Sequence, residues 1–177
     1  MVDKQAADED ALSRAFLEFS RRKLVEQYWP RLRSCVASLS EEQVWWRPNQ
    51  ASNSAGNLML HLNGNVRQWL VAPFGHQEDT RERPAEFAAR GPLPVQNLLE
   101  TLEETMQQAW AALARISEAD LLATYQIQGY TVSGLEALYQ VVEHFAVHYG
   151  QIVYITKQLR GEDLGFYREL DKTGRPE

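Results

Sequence analysis

Cysteine occurs once, at Cys35, so no pair exists to staple the fold and a disulfide scaffold is excluded. Long apolar runs are missing as well: nothing approaches the roughly 20 residues that a bilayer-spanning helix needs. The stretch from Met1 to Asp10 is acidic and has no basic segment leading into an apolar one. No ordinary secretory signal is therefore expected, and a reducing cytoplasm is the expected compartment. Basic residues form no continuous stripe. They are scattered or paired with acids, as in Arg81-Glu82-Arg83, and the net charge is −6, which disfavours DNA or RNA as a partner. Strand patterning is confined to short runs such as Tyr125 to Val132, too little to predict a sheet.

What is present points to helices. Hydrophobic residues make up 44% of the 177 and charged residues 24%, with five Trp, a composition that folds. The length suits one domain with a real core, spanning 1–177, with 1–10 expected to be flexible or loosely packed. Apolar residues recur at helical spacing from about Ala11 to Leu39, with a kink or break expected at Pro30. Ser40 begins a short capped turn leading to Trp45-Trp46-Arg47-Pro48. Asn53 or Ser54 can cap a second helix running to about Val71, weakened slightly by Gly56 and Gly64. A proline-rich crossover from Pro73 to Pro94 follows, with a brief turn possible at Ala85 to Ala89, and it is long enough to suggest that it lines a site. A third helix is read from about Val95 to Ile116, and a fourth from Thr131 or Ser133 to a stop at Gly161. The expected fold is all-α, a four-helix bundle with one long crossover between helices two and three.

The histidines are the most informative residues. His144 and His148 stand at i and i+4, on one face of the fourth helix and able to share an ion. Counted as Ala137, Val141, His144, His148, Gln151 and Ile155, the inward seam places both imidazoles among apolar or uncharged positions. His61 lies mid-way along helix two, with Asn57 and Asn65 a turn to either side. Three neutral imidazoles would bind a divalent ion and leave a coordination position for water or substrate. Spacing alone leaves a second reading open, in which these are separate histidines with ordinary hydrogen bonds. The zinc-protease motif is absent, since Phe145 stands where it needs Glu, and so is the paired Glu-x-x-His of di-iron bundles.

The runs Ser52-Asn53-Ser54-Ala55-Gly56-Asn57-Leu58-Met59-Leu60-His61-Leu62 and Glu143-His144-Phe145-Ala146-Val147-His148-Tyr149-Gly150-Gln151-Ile152 resemble the two histidine motifs of the DinB-like superfamily, as does Trp45-Trp46-Arg47-Pro48. The resemblance covers nearly the whole chain. It implies up-down-down-up connectivity, a homodimer, and one divalent ion held by His61, His144 and His148, nickel or zinc ahead of iron or manganese. Relatives in this superfamily include transferases and isomerases that use low-molecular-weight thiols such as bacillithiol or mycothiol. The subgroup that this chain most resembles has no assigned reaction. The resemblance thus implies a metal-dependent enzyme of thiol-transferase or hydrolase type, with a low-molecular-weight thiol and a small electrophile as partners. The alternatives are a non-catalytic metal or small-molecule binding protein in stress response and a dimer with a purely structural metal.

Other polar residues are weighed beside the triad. Asn57, Asn65 and Gln151 are candidates for supporting the ligands or lining a pocket, whereas Glu143 is expected to point to solvent. Trp45, Trp46 and Trp69 read as core and staple residues rather than a substrate platform. His76 reads as a solvated loop residue and Cys35 as a small buried hydrophobe.

Overall fold

The computed structural model describes the backbone of residues 2–91 and 93–168 and the side chains from residue 11 onward, Pro92 excepted. It is mostly helical. The first rod joins α1 (Val2–Arg21), a π-helical stretch Arg22–Tyr28 and α2 (Trp29–Ala37). It begins well before the expected start near Ala11, and the packing of residues 1–10 lies outside the described side chains. Pro30 does not break the rod. It falls in the first turn of α2, directly after the π stretch, where the regular ladder is already interrupted and a missing N–H costs little.

A capping box starts α3 (Glu41–Trp45): Ser40 Oγ accepts from the Gln43 N–H, and Gln43 Oε1 accepts from the Ser40 N–H. A second box at Ser54 and Asn57 starts α4 (Ala55–Val66). This second rod continues through a π stretch Arg67–Val71 into α5 (Ala72–Gly75), one turn past the end that Pro73 predicts, because that proline again follows a π stretch. The crossover carries α6 (Arg83–Ala88), and α7 (Val95–Leu113) and the short α8 (Glu118–Leu122) come next.

Residues 124–133 correct the expectation of too little strand signal for a sheet. β1 (Thr124–Ile127) and β2 (Tyr130–Ser133) pair antiparallel, in register from Thr124 with Ser133 to Ile127 with Tyr130. The turn places Gln128 at φ 54 and Gly129 at φ 83, the twist that a two-residue hairpin requires. Only the glycine advertises it. The last helix, α9 (Gly134–Arg160), starts from a box of Ser133 with Glu136 and stops at Gly161, whose φ of 68 suits glycine.

The first rod packs against α7 and α9, and so does α4. Arg21 lies over the Trp110 ring and Trp29 Nε1 donates to Glu103, while Tyr28 stacks on Phe145 and Tyr149 and Arg160 donates to the Ser38 carbonyl. Leu24, Leu32, Leu58, Leu62, Leu102, Met106, Leu138, Phe145 and Ile152 fill the interior. On α9 the buried positions are Gly134, Ala137, Leu138, Val141, Phe145, Ile152 and Thr156. The expected seam is therefore displaced: His144 and His148 are half-buried at its edge, and Gln151 is exposed. That displacement sets the histidines at a margin of the bundle rather than along its axis.

Candidate metal centre

His61 projects from the middle of α4 and is buried, with 3% of its surface exposed. It meets the histidine pair of α9: ring centroids lie 5.0 Å from His144 and 4.9 Å from His148, and the pair are 4.5 Å apart. One nitrogen from each ring lies within 4.8 Å of the others, close enough for a single ion. His61 Nε2 and His144 Nε2 are 2.8 Å apart.

Neighbours decide which nitrogen of each ring carries hydrogen. His61 Nδ1 lies 2.8 Å from Glu86 Oε2 and 3.0 Å from Arg81 Nη2. Arg81 cannot accept, so these contacts compete for the same ring nitrogen, and the charge on Glu86 decides between them. Burial would raise the Glu86 carboxyl, but hydrogen bonds from Arg81 and His61, together with their charges, outweigh it and hold the group below its usual value. Glu86 is thus a carboxylate that accepts from His61 Nδ1–H, while Arg81 grips it through Nε at 2.7 Å and Nη2 at 2.9 Å. His61 Nε2 is left with a bare lone pair. Likewise His148 Nδ1–H donates to Gln151 Oε1 at 2.8 Å, which frees its Nε2.

Burial pushes His144 down to about 4, reinforced by the charges of His148, His61, Arg81 and Arg83. Burial also lowers His148, against the opposing Gln151 bond. Both rings of α9 are therefore suited to be neutral near pH 7, the state in which imidazole binds metal. A carboxylate behind one ligand and an amide oxygen behind another are the partners that orient histidines around an ion. The donor set fits a borderline divalent cation.

The other sequence candidates take varied places. Asn57 makes no hydrogen bond to His61: its Nδ2 donates to the Glu86 and Ala89 carbonyls at 2.9 Å each and pins the crossover. Asn65 is buried with no hydrogen-bond partner for Oδ1. Gln151 supports His148, and Glu143 is exposed. Trp45 donates to the Leu93 carbonyl, holding the crossover as a staple, and Trp69 is buried with Nε1 on Gln128. His76 is exposed at φ 52. Cys35 is buried, and desolvation raises its thiol to about 11.

Sequence reading missed Arg81 and Glu86. Arg81 reads in sequence as one of several basic residues paired with neighbouring acids, yet its guanidinium is almost fully buried and further braced by Gln68 and Asp79. One signal did exist. A Cβ on Gly64 would collide with Glu86 Oε1, so this mid-helix glycine marks the close approach of the crossover. Gly56 has the same role for the Trp45 ring. Beside His148, a groove of about 570 Å³ opens between the segment after α3, the start of α4 and α9.

A family model described as "Protein of unknown function (DUF1572)" matches residues 11–168. Among solved structures, a conserved protein from Enterococcus faecalis is 17% identical with a TM-score of 0.69, covering 82% of this chain and 97% of its own. A DinB-like protein from Bacillus cereus is 14% identical with a TM-score of 0.61, covering 75% of this chain and 85% of its own. At these identities the likeness concerns the fold. No curated protein matches the chain.

Proposed function

The chain belongs to the DUF1572 family, and we propose that it is a DinB-like, metal-dependent enzyme of thiol-transferase or hydrolase type. One observation carries this reading. Imidazoles from two helices converge, and Glu86 and Gln151 fix the tautomers of two of them so that bare nitrogens face a common point. His61, His144 and His148 would hold one divalent ion, nickel or zinc before iron or manganese. A metal bound there supplies Lewis acidity, enough to make a thiol or water nucleophilic at neutral pH. The residues do the rest: Glu86 orients His61, Arg81 keeps Glu86 ionised, and the half-buried edge at His144 and His148 leaves room for a small electrophile.

We read the bundle as up-down-down-up. Support comes from Arg21 and Trp29 meeting Trp110 and Glu103 in reverse order along α7, and Tyr28 and Ser38 meeting Phe145 and Arg160 in the same order along α9. We also propose a cytoplasmic homodimer, as the superfamily resemblance implies. No helix of the described residues is long and apolar enough to cross a membrane. Sedimentation velocity tests the dimer.

The deciding measurement is metal content of untagged protein, beside His148→Ala, with far-UV circular dichroism on the same samples. The wild type should carry about one ion per chain, and the variant should lose it while keeping its helical signal. Loss of helix in the variant would make the ion structural and remove the enzyme reading. Full occupancy in the variant would remove His148 from the ligand set.

A further inference from the structure

The groove beside His148 has a chemical character of its own. Its walls are Trp46 and Asn53 from the connector before α4, Leu58 from α4, and Gln151, Tyr154 and Ile155 from α9, and no Asp, Glu, Lys or Arg lines it. In a chain with 24% charged residues, an uncharged wall of this extent selects against ions, which would leave water without a counter-charge. The volume of about 570 Å³ is that of a small-molecule site. Trp46 and Tyr154 are 36% and 64% exposed, and both line the groove. Gly150 belongs to the same lining, and a Cβ there would meet nothing within 4 Å, so the groove stays open at that point.

Gln151 connects the groove to the histidines. Its Oε1 accepts from His148 Nδ1, which leaves its Nε2 hydrogens free to donate. The indole Nε1 of Trp46 is a second N–H donor, and neither nitrogen has a partner among the described residues. The wall therefore offers aromatic surface and uncharged hydrogen-bonding groups, the two N–H donors among them, and no charge.

We propose that this groove is a small-molecule site that takes an uncharged, flat aromatic or heteroaromatic molecule bearing a hydrogen-bond acceptor such as a carbonyl, on the Nδ1 side of His148 and away from its bare Nε2. Gln151 serves as a positioning residue, touching ligand on one side and His148 on the other. The assignment rests on the groove alone for its binding and on the metal reading only for the bearing of Gln151 on a metal ligand.

Three probes sharing one ring test it: 2-naphthamide, 2-naphthoate and 2-naphthylmethylammonium, measured by ligand-observed NMR titration against the full chain, with and without zinc. Naphthamide should bind roughly tenfold tighter than either ion, because neither ion finds a counter-charge. Trp46→Ala, which removes the platform, and Gly150→Leu, which fills the groove, should each weaken naphthamide about tenfold. Gly150→Leu replaces an exposed helix glycine with a good helix former, so it should keep the fold. Zinc uptake, measured calorimetrically on the same samples, should not change in Gly150→Leu. Equal or tighter binding of a charged probe overturns the proposal, as does naphthamide binding that neither variant alters. So does a second copy of the chain covering the groove, seen as a dimer that Gly150→Leu dissociates. The two readings fail separately: zinc uptake without naphthamide binding removes the groove site alone, and naphthamide binding without zinc uptake removes the metal while the groove stands.

Discussion

Glu86 carries a disproportionate share of the site for a residue that coordinates nothing. Its replacement by Gln should lower metal affinity about 10- to 100-fold, since a carboxylate behind a ligating histidine sets tautomer, aim and basicity. Competition with a chromogenic chelator measures this, and unchanged affinity would deny Glu86 that role. The same change strands the buried Arg81 charge, so a stability loss on the order of 3–5 kcal/mol should accompany it in urea unfolding. The pH response of the metal-free protein follows from the histidines. His144 falls from 6.5 in the open chain to about 4 when folded, so between these values the unfolded chain binds more protons. Stability from this source is therefore complete above pH 6.5 and is lost as pH falls toward 4, and the lowered His148 acts in the same direction. Urea midpoints from pH 7.5 to 4.5 should fall accordingly, and a flat profile would deny both groups their burial. Cys35, buried and raised to about 11, should resist iodoacetamide in the folded protein at pH 8. At this scale the three histidines were legible because helical spacing and mid-helix position show in one dimension. Arg81 and Glu86 were not, because they lie 20 and 25 residues from His61 and reach it only through the bend of the crossover after α5, whose path no periodicity encodes.

Two helix glycines separate close approach from simple openness. Gly64 lies under the Glu86 and Arg81 side chains, so Gly64→Ala should force the pair off α4 and reduce both stability and metal affinity. Gly150 faces open space on α9, and Gly150→Ala should raise stability by about 0.5–1 kcal/mol through helix propensity. Opposite shifts in thermal midpoint check the contrast; two shifts of the same sign would deny it. Helices were readable wherever a cap coincided with periodicity, as at Ser54 and Ser133, and Gly161 announced its stop. Prolines misled. Pro30 and Pro73 look like breaks in sequence, but each follows a π stretch and is absorbed, and nothing in local composition announces a π stretch. The run Tyr125 to Val132 read as too little for a sheet because four-residue strands with half-exposed faces give almost no alternation to count.

At the scale of the molecule, the apolar interior rather than the ion should hold the fold. Phe145, wholly buried and stacked on Tyr28, should cost about 3–5 kcal/mol when cut to Ala. Stripping metal should lower the melting temperature by an amount set only by affinity and free metal. An apo-protein that had lost its helical signal at 25 °C would reverse that order. The mostly helical class and the helix-two and helix-four locations of the three histidines were legible because each rests on long, strongly patterned segments. The edge position of the site was not, since the exposed Gln151 looked in sequence like a member of the seam. The π stretches Arg22–Tyr28 and Arg67–Val71 also bear on how the chain tolerates a change in its length. Each holds a residue more than an α-turn would, so deleting one residue there would regularise the rod and leave both flanks facing as before. The same deletion elsewhere in these rods would swing everything beyond it by about 100° and turn core positions to solvent. Indels between relatives of this chain should therefore gather at these two wide turns.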